Sequence, residues 1–234
     1  MRLRGFLEAI GLSEYKVSYN EILISALGGF LGILAIFMIS RFLFDDEVAL
    51  MIVPSMGASA VLLFAAPHAP FSQPWNVIAG HMLSAVIGVA CWRFIPDISV
   101  AASAGVGLAI AAMYFARCIH PPGGATALAA VIGSDQLHGL GFGYVFQPIL
   151  FNVAVILLIA VLFNGLFKWR RYPAQPYIEP KTTGIEVGRY TAINHEDFVY
   201  ALSQIDTIVD ATEDDLLKIY QLATKRHMEV PQSA

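Results

Sequence analysis

The chain has 234 residues, 57% of them hydrophobic and only 14% charged, with a formal net charge of −4. About a quarter of the residues of an ordinary soluble domain are charged, so this composition excludes a water-soluble enzyme, and no nucleic-acid partner is expected. Between Val48 and Phe167 the charged residues are Arg93, Asp97, Arg117 and Asp135; a stretch that long with so few charges reads as an all-α, polytopic helical membrane protein in a lipid bilayer.

Met1 to Glu21 mixes Arg2, Arg4 and Lys16 with Glu8, Glu14 and Glu21. It lacks an apolar run of signal-peptide length and reads as an amphipathic lead-in at the cytoplasmic surface. A first apolar segment spans Ile22–Phe44, with Gly28, Gly29 and Gly32 spaced for close approach of a neighbouring helix. Asp45, Asp46 and Glu47 mark a wet end. The second segment runs from Val48 to Ala66, followed by a charge-free, proline-rich loop carrying His68. The third, Asn76–Phe94, holds His81, which is read either as a hydrogen-bonded packing residue or as a ligand. Arg93 and Asp97 bracket its end, and the fourth runs from Ile98 to Ile119. The fifth is Pro121–Gly133, followed by a glycine-rich loop with His138. The sixth, Tyr144–Phe167, ends in Lys168-Trp169-Arg170-Arg171, a basic and aromatic cytoplasmic anchor. Residues 22–171 are thus the membrane domain. Pro173, Pro176 and Pro180 mark 172–193 as a linker. Residues 194–234, with helix-start patterns at Asn194 and Thr212, form a small cytosolic C-terminal helical hairpin. Cys91 and Cys118 lie in apolar segments without metal or disulfide spacing, and no metal or cofactor is expected.

The run Arg117-Cys-Ile-His-Pro-Pro-Gly-Gly-Ala-Thr-Ala127 organises this chain. Pro121 and Pro122 cannot sit inside a regular helix, so one helix ends before them and another starts, leaving first-turn N–H groups without intrahelical partners. The run Pro54-Ser-Met-Gly-Ala-Ser-Ala60 matches it: Pro54 with Pro121, Gly57 with Gly124, Ala58 with Ala125, Ser59 with Thr126 and Ala60 with Ala127. The six segments therefore fall into two pseudo-repeated halves, the sequence pointer to a transporter's binding site, with the second half inverted. Thirteen residues in the fifth segment reach about 20 Å, against about 30 Å of hydrocarbon, so it and its partner after Pro54 either cross or re-enter. Either version gives an even number of crossings and puts both termini in the cytoplasm. A small monovalent anion would sit on the N–H groups and hydroxyls of Ser55, Gly57, Ser59, Gly123, Gly124, Ala125 and Thr126, with His120 and His81 nearby. Arg117 either supplies the positive charge or anchors at the interface. His120 either carries a proton or adjusts the site's charge.

The runs His120–Leu128 and Pro54–His68, with the pair Gly80-His81, resemble the HPP family of integral membrane proteins over about Leu23–Phe167. The resemblance implies transport of nitrite, the activity attached to plastid members; this chain reads as bacterial, and an inner-membrane location is expected. The alternatives are a non-transporting scaffold with a partner-binding cytosolic tail, and an intramembrane enzyme. No carboxylate pair or Ser–His–Asp spacing supports the enzyme. Channel or carrier, direction of flux and the precise ion stay open, and a homo-oligomer is expected from the glycine-rich helices.

Overall fold

A computed structural model describes residues 17–43, 54–174 and Tyr220. The chain divides into two compact units, one made of Met1–Glu21 with Tyr177–Ala234 and one spanning Ile22–Pro176. The expected hairpin at 194–234 lies, apart from Tyr220, outside the described residues. The second unit is described below, and all its described elements are helical.

The first helix, α1 (Tyr19–Leu43), which belongs to this unit from Ile22 onward, runs for 25 residues, about 37 Å at 1.5 Å per residue. The second, α2, covers only Ser55–Ala65. A 3₁₀ turn at Pro70–Ser72 leads into α3 (Pro74–Phe94), and α4 follows at Ile98–Phe115. Asp97 caps α4, its carboxylate accepting from the N–H groups of Ser99 and Val100 at 2.9 Å each. The fifth helix, α5, is Pro122–Ile132, with Pro122 at a first-turn position where a missing N–H costs nothing. A five-residue α6 (Asp135–Gly139) lies in what the sequence marks as a glycine-rich loop. Four stretches among the described residues are long and apolar enough to cross a bilayer: Tyr19–Phe42, Pro74–Phe94, Ile98–Phe115 and Val145–Gly165. The two short apolar helices are α2 and α5, at 11 residues each, about 16 Å long.

Two expected segments differ in shape. The fourth stops at Phe115 rather than Ile119. The N–H of Cys118 donates to the carbonyl of Met113, and that of Arg117 to Tyr114, at 2.9 and 3.1 Å. Arg117 has φ 52°. These are the bonds and left-handed residue of a Schellman stop, here with Cys118 packed on Met113. The sixth segment is broken: a broad π-type turn at Val145–Leu150 precedes α7 (Phe151–Gly165). Gln147 is extended there (φ −133°, ψ 103°), because the following Pro148 disfavours helical geometry before it and donates no N–H itself.

Small residues bring α3 and α5 together. A methyl group on Gly80 would lie 2.7 Å from the His120 Cβ, and one on Gly88 2.5 Å from the Ala127 carbonyl and 2.7 Å from the Ala130 Cβ. Gly123 likewise faces the Gly80 carbonyl and the Ser84 Oγ. The order of these contacts makes α5 run in the same sense as α3. In α1, Gly28 and Gly32 receive the Phe64 ring of α2, as the sequence spacing anticipates, whereas Gly29 faces open space.

Polar ties close the unit at one end. The Ser72 hydroxyl donates to the carbonyls of Leu62 and Ala66, and the Gln73 amide to those of Pro67 and Ala69. The Tyr172 hydroxyl donates to the Ser72 carbonyl at 2.6 Å. The 3₁₀ turn Lys168–Arg170 follows α7. There the buried guanidinium of Arg170 donates to the Asn164 Oδ1, the Ser25 Oγ and the Phe64 carbonyl. The start of α1 and the chain after α7 therefore lie at the same end.

Candidate functional site

The short helices α2 and α5 pass each other in opposite senses. Ser55, at the start of α2, meets Thr126, a turn into α5; Ser59, a turn into α2, meets His120, just ahead of α5. The third wall is α3, which contributes His81 two turns from its start. All five side chains are at most 1% exposed.

They are bonded in series. The Oγ atoms of Ser55 and Thr126 are 2.8 Å apart. The Oγ1 of Thr126 is 2.7 Å from the Nδ1 of His81. The Oγ of Ser59 lies 2.8 Å from the Nε2 of His81 and 2.9 Å from the Nε2 of His120. The Nδ1 of His120 is 2.7 Å from the carbonyl oxygen of Phe71 in the loop after α2. The imidazoles themselves stand edge to face, centroids 4.8 Å apart. Burying unpaired polar groups is costly, so a completed chain is the form in which these side chains are tolerated.

The surroundings lock the chain in place. The Asn76 amide donates to the Ile119 carbonyl at 2.9 Å and the Trp75 indole to the Ala116 carbonyl at 3.3 Å, holding the segment before His120 against α3. The Tyr144 hydroxyl donates to the Thr126 carbonyl at 3.3 Å. Ser84, one turn beyond His81, has a buried hydroxyl with no hydrogen-bond partner. No sequence pattern singled out Phe71, Asn76 or Tyr144: a backbone carbonyl carries no residue signature, and a lone amide or phenol in an apolar run is common.

Of the residues expected at the site, Ser55, Ser59, His81, His120 and Thr126 come together, and Gly123 packs beneath them. Gly57 and Ala125 are exposed and face away, as does half-buried Gly124. Pro54 and Pro121 precede the two short helices, and Pro122 opens α5. Three of the N–H groups expected to be free are engaged: those of Gly57, Gly123 and Gly124 donate to the carbonyls of Pro54, His120 and Pro121 at 3.1, 2.8 and 3.1 Å. Arg117 does not join the cluster. The Schellman stop turns it outward, and its side chain is exposed. Of the other histidines, His68 is an exposed loop residue, and His138 stacks on Trp92 with ring centroids 4.2 Å apart. Among the described residues no three His, Cys, Asp or Glu side chains gather as a metal site.

Chemically, the chain can hold and shift protons. It is poorly suited to nucleophilic attack, because Ser59 is fully buried with both imidazole nitrogens upon it.

Apolar spanning helices around a buried polar chain define a multi-pass membrane protein. More particularly, the chain belongs to the HPP family: the family's transmembrane region matches residues 14–173. Two transmembrane proteins of Dictyostelium discoideum are similar to it. One is 37% identical over 165 residues, covering 69% of this chain and 53% of the relative. The other is 40% identical over 151 residues, covering 63% and 53%. The chain thus spans about half the length of these curated relatives. No solved structure matches it.

Proposed function

We propose that this protein transports a small monovalent anion, with nitrite, the ion implied by the family resemblance, as the first candidate. The observation that carries this reading is the buried chain of two imidazoles and three hydroxyls where two short, oppositely directed helices pass each other. Those helices start at the matched proline motifs, and opposed short helices at corresponding positions of two halves are how inverted-repeat transporters build a central site. Positive charge for the anion comes from His81 and His120, the titratable groups of the cluster, rather than from Arg117. Lys168, Arg170 and Arg171 at the end shared with the start of α1 favour a cytoplasmic location for both termini, in an inner membrane for a bacterial cell.

Uptake into proteoliposomes tests this directly, comparing nitrite, nitrate, chloride and formate. Saturable flux of nitrite, lost in His81→Ala and His120→Ala variants that still fold, is the expected result. Arg117→Gln separates the two readings of that residue: retained flux makes it an interface anchor, and loss returns it to the pathway. Absence of flux for all four anions overturns the reading. Truncation after Pro176 keeps Tyr172 on Ser72; transport survives it, whereas a scaffold acting through its tail fails.

A further inference from the structure

The proton positions in the buried chain follow from its geometry. The Phe71 carbonyl can only accept, so the Nδ1 of His120, 2.7 Å away, carries a proton. A neutral His120 then presents its Nε2 as an acceptor, and the Ser59 hydroxyl donates to it. Serine has a single proton to give. Its oxygen must therefore receive the bond from the Nε2–H of His81. A neutral His81 in turn accepts at Nδ1 from the Thr126 hydroxyl; that turns the Thr126 proton away from the Ser55 Oγ at 2.8 Å and the Pro122 carbonyl at 3.4 Å, so across the Ser55–Thr126 contact the Ser55 hydroxyl becomes the donor. With both rings neutral there is one arrangement, and every donor from Ser55 to Phe71 points the same way.

We propose that Ser55, Thr126, His81, Ser59 and His120 form a proton relay that binds one proton together with the transported anion. This rests on the transporter reading above. A proton delivered to the Ser55 end displaces that hydroxyl's proton to Thr126, whose own proton passes to the Nδ1 of His81, giving an imidazolium. The Nε2 proton of His81 then moves to Ser59 as the Ser59 proton moves to the Nε2 of His120, leaving the charge on His120. No bond other than these O–H and N–H bonds is made or broken, and the net change is one bound proton. The Phe71 carbonyl cannot take that proton, so release on its side requires His120 to part from the loop carrying Phe71. That separation is the coupling step.

Among the described residues, helices α2 to α5 and α7, which enclose the cluster, carry no acidic side chain. Helices α2, α4, α5 and α7 contain no Asp, Glu, Lys or Arg, and α3 has only Arg93, at its far end. Glu21 and Arg41 lie in the first and last turns of α1. In the loops, His68 and Arg117 are exposed, Asp97 caps the start of α4, Asp135 and His138 follow α5, and after α7 come exposed Lys168 and Arg171 and buried Arg170, whose guanidinium is engaged by Asn164, Ser25 and the Phe64 carbonyl at the far end of α2. The Tyr144 phenol donates to the Thr126 carbonyl, and the Cys118 thiol is buried on Met113. A proton held on the relay is therefore balanced by the anion, and the transported pair is neutral.

The experiment loads proteoliposomes with a pH-sensitive dye, adds nitrite outside and subtracts protein-free vesicles. The relay requires internal acidification in step with nitrite entry, one proton per anion, insensitive to membrane potential. An acid-outside gradient of about one pH unit should accumulate nitrite about tenfold. Thr126→Val, close in shape but without the hydroxyl, and Ser59→Ala should break the fixed proton-to-anion ratio, and Thr126→Ser should keep it. Nitrite flux without protons in the wild type, or an unchanged ratio in both Thr126→Val and Ser59→Ala, overturns the relay and leaves the transporter standing. Nitrogen-15 NMR of labelled histidine reads the relay independently of flux and on the wild type alone: neutral His120 protonated at Nδ1 and neutral His81 at Nε2 are required. The opposite tautomer at either ring overturns the relay, whereas absent flux with the required tautomers overturns the transporter reading and, with it, the coupling.

Discussion

Ser59 is where the two imidazoles meet, which makes it the most exacting single position of the site. Removing its hydroxyl leaves an Nε2–H and an Nε2 lone pair buried without partners, at about 1–3 kcal/mol each. Ser59→Ala should accordingly lower the detergent-solubilised melting temperature well below that of Ser103→Ala, whose exposed hydroxyl only donates to the Ser99 carbonyl one turn back. Arg117 makes the opposite case. A side chain in the left-handed region costs about 1–2 kcal/mol, and a Schellman stop ordinarily has glycine there. Arg117→Gly should raise thermal stability, by up to about 1 kcal/mol after the entropy of the freer unfolded chain is counted. A loss of stability would mean that the guanidinium makes up more than the backbone strain takes away. This residue also shows a limit of local reading: its charge stands out in an apolar sequence, but its direction depends on where α4 stops.

At the scale of elements, the contact of α3 with α5 positions His81 against Thr126 and depends on the absence of side chains. Gly88→Ala places a methyl into the Ala127 backbone, and overpacking of this kind costs about 1–3 kcal/mol; the melting temperature should fall and the relay should loosen. Gly57→Ala, on the open side of α2, should instead be neutral or stabilising by about 0.5–1 kcal/mol, the helix cost of glycine. Equal effects from the two substitutions would contradict the packing described. The short α5 was legible from its prolines, which act on their own neighbours, whereas Pro54 left the segment Val48–Ala66 open to two readings. The break at Gln147 was not read from Pro148, because a proline within an apolar run can also be accommodated as a kink whose position neighbouring helices decide.

For the whole molecule, sidedness is the property to measure. The native cysteines are buried, so an introduced thiol stands out in labelling with a membrane-impermeant maleimide. Arg117→Cys lies beyond the end of α4, beside the start of α3, where Trp75 reaches the Ala116 carbonyl. The loop at the start of α3 is in turn tied to Tyr172. Asp135 lies at the opposite end, since neighbouring His138 stacks on Trp92 near the far end of α3. Arg117→Cys and Lys168→Cys should therefore label from one face and Asp135→Cys from the other. Labelling of Arg117→Cys and Asp135→Cys from the same face would overturn the placement of α3 and α5.

Membrane residence was settled by composition alone, since a charge-poor stretch cannot be solvated however it folds. The start of α5 was set by proline, whose missing N–H and fixed φ act within a turn, and a helix beginning after Pro54 was one of two readings of the segment Val48–Ala66, whose first residues lie outside the described ones. The matched motifs also brought Ser55, Ser59, His120 and Thr126 into view together. Which atoms bond was decided by tertiary structure: Ser59 reaches His81 across 22 residues and His120 across 61, and Thr126 reaches Ser55 across 71. Hydrogen bonds form over about 3 Å of space, whatever the chain separation. Local residue patterns could therefore name most of the cluster, but only the packing of α2, α3 and α5 could put Ser59 between the imidazoles, the Phe71 carbonyl at the end of the chain, and Arg117 outside it.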